Sequence, residues 1–466
     1  MSITSRVANA AKALWGYEAA DGTGSQRRTQ SVVTTLSEDN ILTQQRRGVM
    51  ISTTRDLQRN MTIAGWAIRR HLDYVSTFTF QARTGNPGLN KLLETRVKEW
   101  SEPDKFDALH IMNRQNFVRT MESCRTLDGD ILVMKLRDGH IQAIESDRIR
   151  NPDNSTSSNN WNNGVEVDDA GIIKTYGIWK RTKYGVVFDK NVSASVCFPL
   201  FAYRPRFDSV RGISPLAPAI NSFVDLGDSI TYALSKMKLS QLFGLVFTRN
   251  SGAPLGVVTP NDPATPAEGY SVDFKKGPVL LNLRPGDEAK FLESQTPSQE
   301  FQNFVGVTIP MCLKALDIPY SFYDESYTNY SGARQALLQY ESSADVKRLD
   351  IIAFLNRWTA WRMSVGVLDG EIPPSIPFLF EWVPTGLPWI DPLKESSANM
   401  LEVGLGTKSR TMVCKERGYE FDDVLAELID ENTKLESAGM KPTFPTMQIN
   451  VSTGDEPDNK PAPKGK

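Results

Sequence analysis

The chain has 466 residues, 40% of them hydrophobic and 23% charged, so it is globular, too long for one small core, and expected to form two to four structural units. Its 53 basic and 55 acidic residues leave a net charge of -2, which argues against a protein that grips nucleic acid over its whole surface. A local basic patch, or a surface that DNA slides past, stays open. The four cysteines (Cys124, Cys197, Cys312, Cys414) lie far apart without metal-ligand spacing, so reduced thiols in a cytosolic setting are expected. No apolar run approaches the roughly 18 residues of a membrane span. The N-terminal MSITSRVANAAKALWGY lacks a signal peptide's apolar core and cleavage site and reads as a short amphipathic helix.

Residues 18–36 are rich in Gly, Ser, Thr, Gln and Arg and read as a mobile arm. In RDLQRNMTIAGWAIRRHLDYV, Leu57, Met61, Ala64, Ile68, Leu72 and Val75 keep one helical face, with Arg69, Arg70 and Asp73 off it. Arg69-Arg70-His71 reads as a solvated or subunit-facing charge cluster in preference to a phosphate contact. Helices are predicted over 89–100 and 109–127. The period then shifts towards two: ILVMKLR, a turn at Asp138-Gly139 and HIQAIES predict a hairpin, and IIKTYGIW, GVVF and SVCFPLFAY continue the β-rich group. The polar NPDNSTSSNNWNNG is expected to be an exposed loop.

From 211 to 316 two long helices flank an insert of about fifty residues. The first is expected to open at Ser214-Pro215, a cap followed by proline at the first helical position, with Ile220, Phe223, Val224, Ile230, Leu234 and Met237 on one stripe. Reaching Gln241, it would be roughly 40 Å long. The second is expected to open at Thr296-Pro297-Ser298-Gln299, to present Phe301, Phe304, Val305, Thr308 and Cys312, and to be kinked by Pro310. Between them, 246–295 carries the β-like GLVFTRN and GPVLLNL separated by turns. A long helix over 333–363 follows, then Pro-rich breaks, helices over 393–403, 409–417 and 421–435, and a tail expected to be disordered from Pro442.

Chemistry is hard to find. No GxxxxGK[ST] occurs; GLGTKS near Gly404 has the wrong spacing and no preceding strand, which argues against an ATPase. The three histidines (His71, His110, His140) sit in separate elements, away from any G-x-S-x-G turn or H-E-x-x-H helix. Asp225 and Asp228 share a helix face at a spacing that can hold a metal, and Asp422-Asp423 is a second acidic pair; both read first as solvated charges. The consistent lack of catalytic motifs points to a structural or assembly protein, with no cofactor and no metal. The rival is a Mg²⁺-dependent, nuclease-like DNA-processing enzyme built on Asp225 and Asp228.

Several stretches together resemble the lambda-type portal proteins of tailed bacteriophages. RDLQRNMTIAGWAIRRHLDYV resembles their "R-D-L-x-R-N … A-G" helix. Trp100, Phe106-Asp107-Ala108 and Asp128-Gly129-Asp130 before a strand match the next block. RPRFDSVRGISPLAPAI is similar to "R-x-x-Q-x-R-G-x-S-P-L-A", and LDIPYSFYDESYTNYSGARQALL to "G-I-P-Y … D … N-Y-S-S-A-R-x-A-L-L". Trp382 with PWIDPLKESSANMLEVGLGTKSRTMVCKERGYEFDDV resembles the "W-P-x-I-D-P-x-K-E … G-x-x-S … G-x-D" ending. The blocks cover roughly 40–440 in family order. The glutamine before Arg211-Gly212 is absent, Gly332 replaces a serine, and Tyr419 stands where arginine is common.

The resemblance implies an α+β, mainly helical portal-type fold. It divides the chain into an N-terminal arm and α/β wing (1–210), a first stem helix (211–245), a clip (246–295), a second stem helix (296–318) and a tunnel loop (319–332). A long helix and return to the wing (333–392), a helical crown (393–441) and a disordered tail (442–466) complete it. It implies a passive ring of twelve subunits at one capsid vertex of the virion, assembled in the host cytoplasm, through which double-stranded DNA is packaged and ejected. The implied partners are the terminase large subunit, the major capsid protein, scaffold and head-tail adaptor or neck proteins, with no membrane. Three expectations follow. Phe354, Trp358, Trp361, Phe301 and Phe304 should be partly buried between subunits. The 246–295 segment should dock partners without holding the ring together. Tyr320, Phe322, Tyr323, Asp324, Glu325, Tyr327 and Tyr330 should line the channel, because no Lys or Arg occurs between Lys314 and Arg334 while Asp317, Asp324 and Glu325 repel phosphate.

Overall fold

The computed structural model describes residues 38–153, 157–158, 160–242, 245–249, 287–291, 298–324, 330–374, 379–385 and 392–440. The expected arm, the tail and most of the insert lie outside them. The chain divides into two units, 1–384 and 385–466.

The first unit opens with helices α1 (Glu38–Ile41), α2 (Gln44–Asn60) and α3 (Thr62–Val75). The single helical pattern read through Met61 is in fact two helices, because Met61 is extended (φ -111, ψ 110). Gly65 permits the tight corner: a Cβ there would lie 3.0 Å from the Gln58 carbonyl. Arg69 and Arg70 are exposed as read, but His71 is fully buried, since it falls on the same face as Ile68, Leu72 and Val75. Strand β1 (Phe78–Ala82) and helices α4 (Pro87–Trp100), α5 (Pro103–Phe106) and α6 (Arg114–Asp128) follow. Asn86 caps α4 through the N–H groups of Gly88 and Leu89, with Pro87 in the first turn. Helix α6 starts five residues later than the apolar pattern predicts, because Asn113 caps Asn116 and His110 is left-handed (φ 56).

Strands β2 (Asp130–Lys135) and β3 (Ile141–Glu145) form the expected hairpin, and β9 (Phe201–Ala202) joins β2 on its other edge. Strands β4 (Ser157–Ser158), β5 (Trp161–Asn162), β6 (Val165–Val167), β7 (Ile173–Thr182) and β8 (Gly185–Ser193) form a second antiparallel sheet in sequence order. Strand β2 separates two cores. Ile131 and Val133 enter the helical core, while Leu132 and Met134 enter the core of the second sheet, as the alternation of a strand buried on both faces requires. The polar stretch expected to be an exposed loop is partly interior: Asn151 and Asn163 are buried. Their side chains bond the backbone, Asn151 accepting from the Gly164 N–H at 2.6 Å and Asn163 donating to the Asp39 and Leu42 carbonyls.

Helix α7 (Ile220–Leu242) begins after one 3₁₀ turn (Ala217–Ala219), later than Ser214-Pro215 predicts. The Ser214 hydroxyl is engaged elsewhere, donating to the Thr126 carbonyl at 2.6 Å and accepting from the Leu216 N–H. Its buried stripe is Ile220, Phe223 and Leu226, whereas Val224 and Leu234 face outward. Strands β10 (Leu245–Arg249) and β11 (Asp287–Phe291) pair antiparallel at the base of the insert. GPVLLNL lies outside the described residues. Helix α8 (Gln299–Leu313) is capped by Ser298 through the Phe301 N–H, two residues past the predicted Thr296. Pro310 is inside α8.

Helix α9 (Tyr330–Leu368) has 39 residues, roughly 58 Å, and runs the length of the helical core. Trp358 and Phe354 are buried in this chain, and Trp361 is partly buried. They stack on Phe106, Phe198, Phe201 and Trp382, so Phe354 and Trp358 are spent inside this chain, which leaves Trp361, Phe301 and Phe304 of the aromatics expected to lie partly between subunits. Strand β12 (Phe380–Pro384) then returns to pair with β1.

The second unit is α10 (Pro392–Gly404), α11 (Arg410–Glu416) and α12 (Phe421–Ser437), close to the three helices read from sequence. Ser409 caps α11, and Lys408 ties the turn by contacts to Asn399, Glu402 and Glu416. None of its described residues is buried. Among the described residues, no helix is long and apolar enough to cross a membrane.

Candidate channel segment and the polar lock

The connection from α8 to α9 carries the residues expected to line a channel. After a 3₁₀ turn (Lys314–Leu316), Asp317 is left-handed (φ 61, ψ 17), and Ile318 is buried. The Asp317 carboxylate accepts from Lys347 Nζ and Ser343 Oγ, both at 2.8 Å, and Lys347 also donates to the Leu316 carbonyl. Partial burial works against its charge, but these donors hold the carboxyl below its usual range. The acid read as part of a repulsive wall is therefore a latch onto α9, its charge matched by a lysine.

Tyr320 and Phe322 form a second 3₁₀ turn and are half-buried. Phe322 packs on Tyr74 and Tyr340 (centroids 5.7 and 5.4 Å), and Tyr323 meets Trp66 edge-on at 6.0 Å and Tyr320 at 5.7 Å. These rings glue the turn to α3 and α9; such pairs contribute about 0.5–1.5 kcal/mol each beyond burial. Tyr323 is the exposed one. Asp324 is half-buried at the end of the turn. Glu325 and Tyr327 lie outside the described residues, and Tyr330 starts α9. Arg348, one helical turn beyond Asp345 on α9, donates twice to the Tyr74 carbonyl in the last turn of α3, fixing α3 against α9.

Elsewhere in the first unit three distant stretches converge. Arg211 is fully buried and forks onto Asp130: Nε to Oδ2 at 2.7 Å and Nη2 to Oδ1 at 2.8 Å. Its remaining N–H groups reach the carbonyls of Ile149, Asn163 and Ser146 and the Ser146 hydroxyl. The Gly212 N–H adds to Asp130 at 2.8 Å, while Arg47 of α2 donates to the Gly212 carbonyl at 2.6 Å. Burial penalises the Asp130 charge, but Arg211 outweighs it and brings the pKa down to about 2. Gly129 and Gly212 touch backbone to backbone, for a Cβ on Gly212 would lie 2.1 Å from the Gly129 oxygen. Gly129 also has φ 93, which favours glycine on its own account. The Asp-Gly-Asp and Arg-Gly motifs are thus two halves of one lock. Sequence reading treated them separately; charged residues beside glycines in two blocks were the available signal.

The carboxylates fit a structural role better than a metal-dependent one. Asp225 and Asp228 are exposed on α7. Asp128, Glu145 and Asp147 do converge, but Arg55 reaches all three and Arg181 reaches two of them, filling the space a cation would need. His71 pairs with buried Glu122 at 3.0 Å, and Glu122 in turn accepts from Arg125 and Tyr203. Burial keeps His71 below its ordinary range, so its neutral form is favoured. His110 and His140, read as unrelated, come together with ring centroids 5.0 Å apart.

Comparison with known proteins agrees with the sequence resemblance. The model "Phage portal protein, lambda family" matches residues 25–348. The probable portal protein of Halomonas phage phiHAP-1 is 23% identical over 408 residues, covering 80% of this chain and 76% of that protein. Among solved structures, a chain from the neck of an empty gene transfer agent (GTA) particle, computed with C6 symmetry, aligns with a TM-score of 0.50 at 12% identity, covering 84% of this chain and 94% of that one. A chain from the virion of a native GTA particle aligns with a TM-score of 0.48 at 13% identity, covering 95% and 100%. With 25–348 matched as one block, the chain belongs to the lambda family of phage portal proteins.

Proposed function

We propose that copies of this portal protein assemble into a twelve-membered ring at one capsid vertex, assembled in the host cytoplasm. The ring is a passive channel for double-stranded DNA during packaging and ejection. In this reading 1–210 is the wing held among the major capsid protein and scaffold, and α7 and α8 are the stem. The 246–295 insert is the clip that docks the terminase large subunit and later the adaptor or neck proteins, and α10–α12 are the crown. ATP-driven work belongs to the terminase, and no catalytic role is assigned to the chain.

The observation that carries the reading is the surface of the stem. Tyr232 and Leu234 on α7, with Phe304, Val307 and Met311 on α8, are 45–71% exposed in a single chain. On α8, Phe304, Val307 and Met311 follow helical spacing along one face; exposed apolar surface of this kind marks an interaction surface, and neighbouring stems of a ring supply the matching cover. The sixfold symmetry of the GTA neck structure, whose fold this chain resembles, is compatible with twelve copies. Residues 319–332 form the tunnel loop, with Tyr323, Asp324, Glu325, Tyr327 and Tyr330 nearest the DNA. Tyr320 and Phe322 act from behind as the packing that holds the turn in place.

The test is a mass measurement by light scattering with negative-stain imaging of purified protein. Rings of many copies are expected without any cofactor, at low and high salt. A monodisperse 52.0 kDa monomer at micromolar concentration would overturn the assignment. DNA cleavage on adding Mg²⁺ would restore the enzyme reading.

A further inference from the structure

The turn between β2 and β3 meets α5 and the loop after it at His140. Its Nε2 lies 2.8 Å from the Asp104 carbonyl oxygen, and its Nδ1 lies 3.1 Å from Asp138 Oδ2. Both neighbours are acceptors, so they decide which protons the ring carries. A proton on Nδ1 alone sets the Nε2 lone pair against the carbonyl oxygen. A proton on Nε2 alone sets the Nδ1 lone pair against a carboxylate. The imidazolium faces both with a proton and leaves neither conflict. The other partner carries the same mark: burial works against the Asp138 charge, but the His140 N–H and the His140 ring hold its carboxyl below the usual range. His110 meets the ring edge-on with centroids 5.0 Å apart, and its Nδ1 is 3.2 Å from the same carbonyl, a contact that a neutral Nδ1–H satisfies. Lys105 of α5 turns instead to Glu99, at 4.0 Å. From α9, Arg362 lies over Gly139, where a Cβ would be 2.9 Å from its Cζ; it stacks on Trp100, and Glu371, Asp369 and Asp138 offset its charge.

We propose that His140 is a proton-operated clasp: charged, it ties the β2–β3 turn to α5 and the loop that follows, and neutral, it must give up one of its two partners. The sign follows from the contacts. The folded arrangement favours the charged ring, so the tie is complete at low pH and is lost as pH rises through the histidine range, between about 5 and 8. Other contacts hold the base of the loop at any pH in that range. The Ala108 N–H donates to the Ile141 carbonyl at 2.9 Å, and the Asp107 carboxylate accepts from the N–H groups of Ile111 and Met112. The clasp is therefore a local device. It acts on the stretch where Leu109 and Ile111 project into solvent, 67% and 70% exposed. Between them His110 is left-handed (φ 56), a backbone conformation that a non-glycine residue keeps only when its surroundings impose it. The clasp is one of those constraints, so its release frees an exposed apolar pair to move.

The experiment is hydrogen exchange by mass spectrometry on the full-length protein at about pH 5.5 and about pH 8, with each rate divided by the intrinsic rate at that pH. In wild type, protection over 104–113 is expected to be roughly 2- to 10-fold higher at the lower pH, the span of one ordinary hydrogen bond. H140Q can still donate to the Asp104 carbonyl but has no proton to lose, so its protection should not change with pH, and H140A should be weakly protected at both. H110A should keep the pH response. D138N should move it to lower pH, because the carboxylate that favours the charged ring is gone. Melting curves should stay close to wild type; should H140A melt early, H140Q carries the comparison. Equal protection at both pH values in wild type, a response that survives in H140Q, or its loss in H110A overturns the clasp; the last outcome would place the switch on His110.

Discussion

Replacing Arg211 with Met tests whether the buried lock holds the first unit together. The substitution keeps much of the side-chain volume but strips donors from Asp130, Ser146 and the carbonyls of Ile149 and Asn163, all in the interior. Removing one partner of a buried ion pair costs roughly 3–5 kcal/mol. The lower end applies here, because Asp130 keeps the Ser146 hydroxyl at 2.6 Å, the Gly212 N–H, and Arg47 at 3.7 Å. In domains of 150–250 residues 1 kcal/mol moves the melting temperature by about 2–4 °C, and by less in a larger unit, so ~3 kcal/mol predicts a fall of roughly 5 °C. Arg211→Lys keeps the charge but cannot reproduce the fork, and should fall between. The carboxylate supplies an independent check. Its pKa drops from 3.8 to about 2 on folding, so its contribution, on the order of 2 kcal/mol, is fully present above the unfolded value and is lost as pH falls through 3.8 towards 2. The gap in urea midpoint between wild type and D130N should therefore narrow between pH 5 and pH 2.5. A melting temperature for R211M within about 1 °C of wild type, or a gap independent of pH, refutes the reasoning.

Gly212→Ala should yield insoluble or misfolded chain, whereas Gly48→Ala, with nothing within 4 Å of the added methyl, should be neutral or slightly stabilising; soluble expression and melting curves compare them. Asp317→Asn should leave global melting almost unchanged, because the Lys347 pair is half exposed and contributes no more than about 1 kcal/mol. Amide exchange over 314–324 should nonetheless quicken as the latch loosens. D324K/E325K in assembled particles should slow packaging or ejection, more at low salt than at high, since added phosphate contacts are screened. Equal rates at both salts would place the loop away from DNA.

Periodicity and capping signals were enough to locate the α10–α12 helices, the β2–β3 hairpin and the long α9 from sequence, because each rests on interactions within a few residues. Local signals also misled wherever a side chain had a better distant use. Ser214 reads as a helix cap but spends its hydroxyl on Thr126, and the apolar pattern through Met61 cannot reveal the corner that Gly65 permits. The family blocks were legible one at a time, but nothing in their spacing shows that Asp130, Arg211 and Arg47 meet. That meeting depends on long-range closure around a buried charge. The same holds for the candidate channel segment: its acidic and aromatic composition is visible in the sequence, whereas only the fold turns Asp317 towards Lys347 and Phe322 towards Tyr74 and Tyr340. Composition sets what a segment can do; the neighbours that tertiary packing brings decide which of its charges and rings stay free to act.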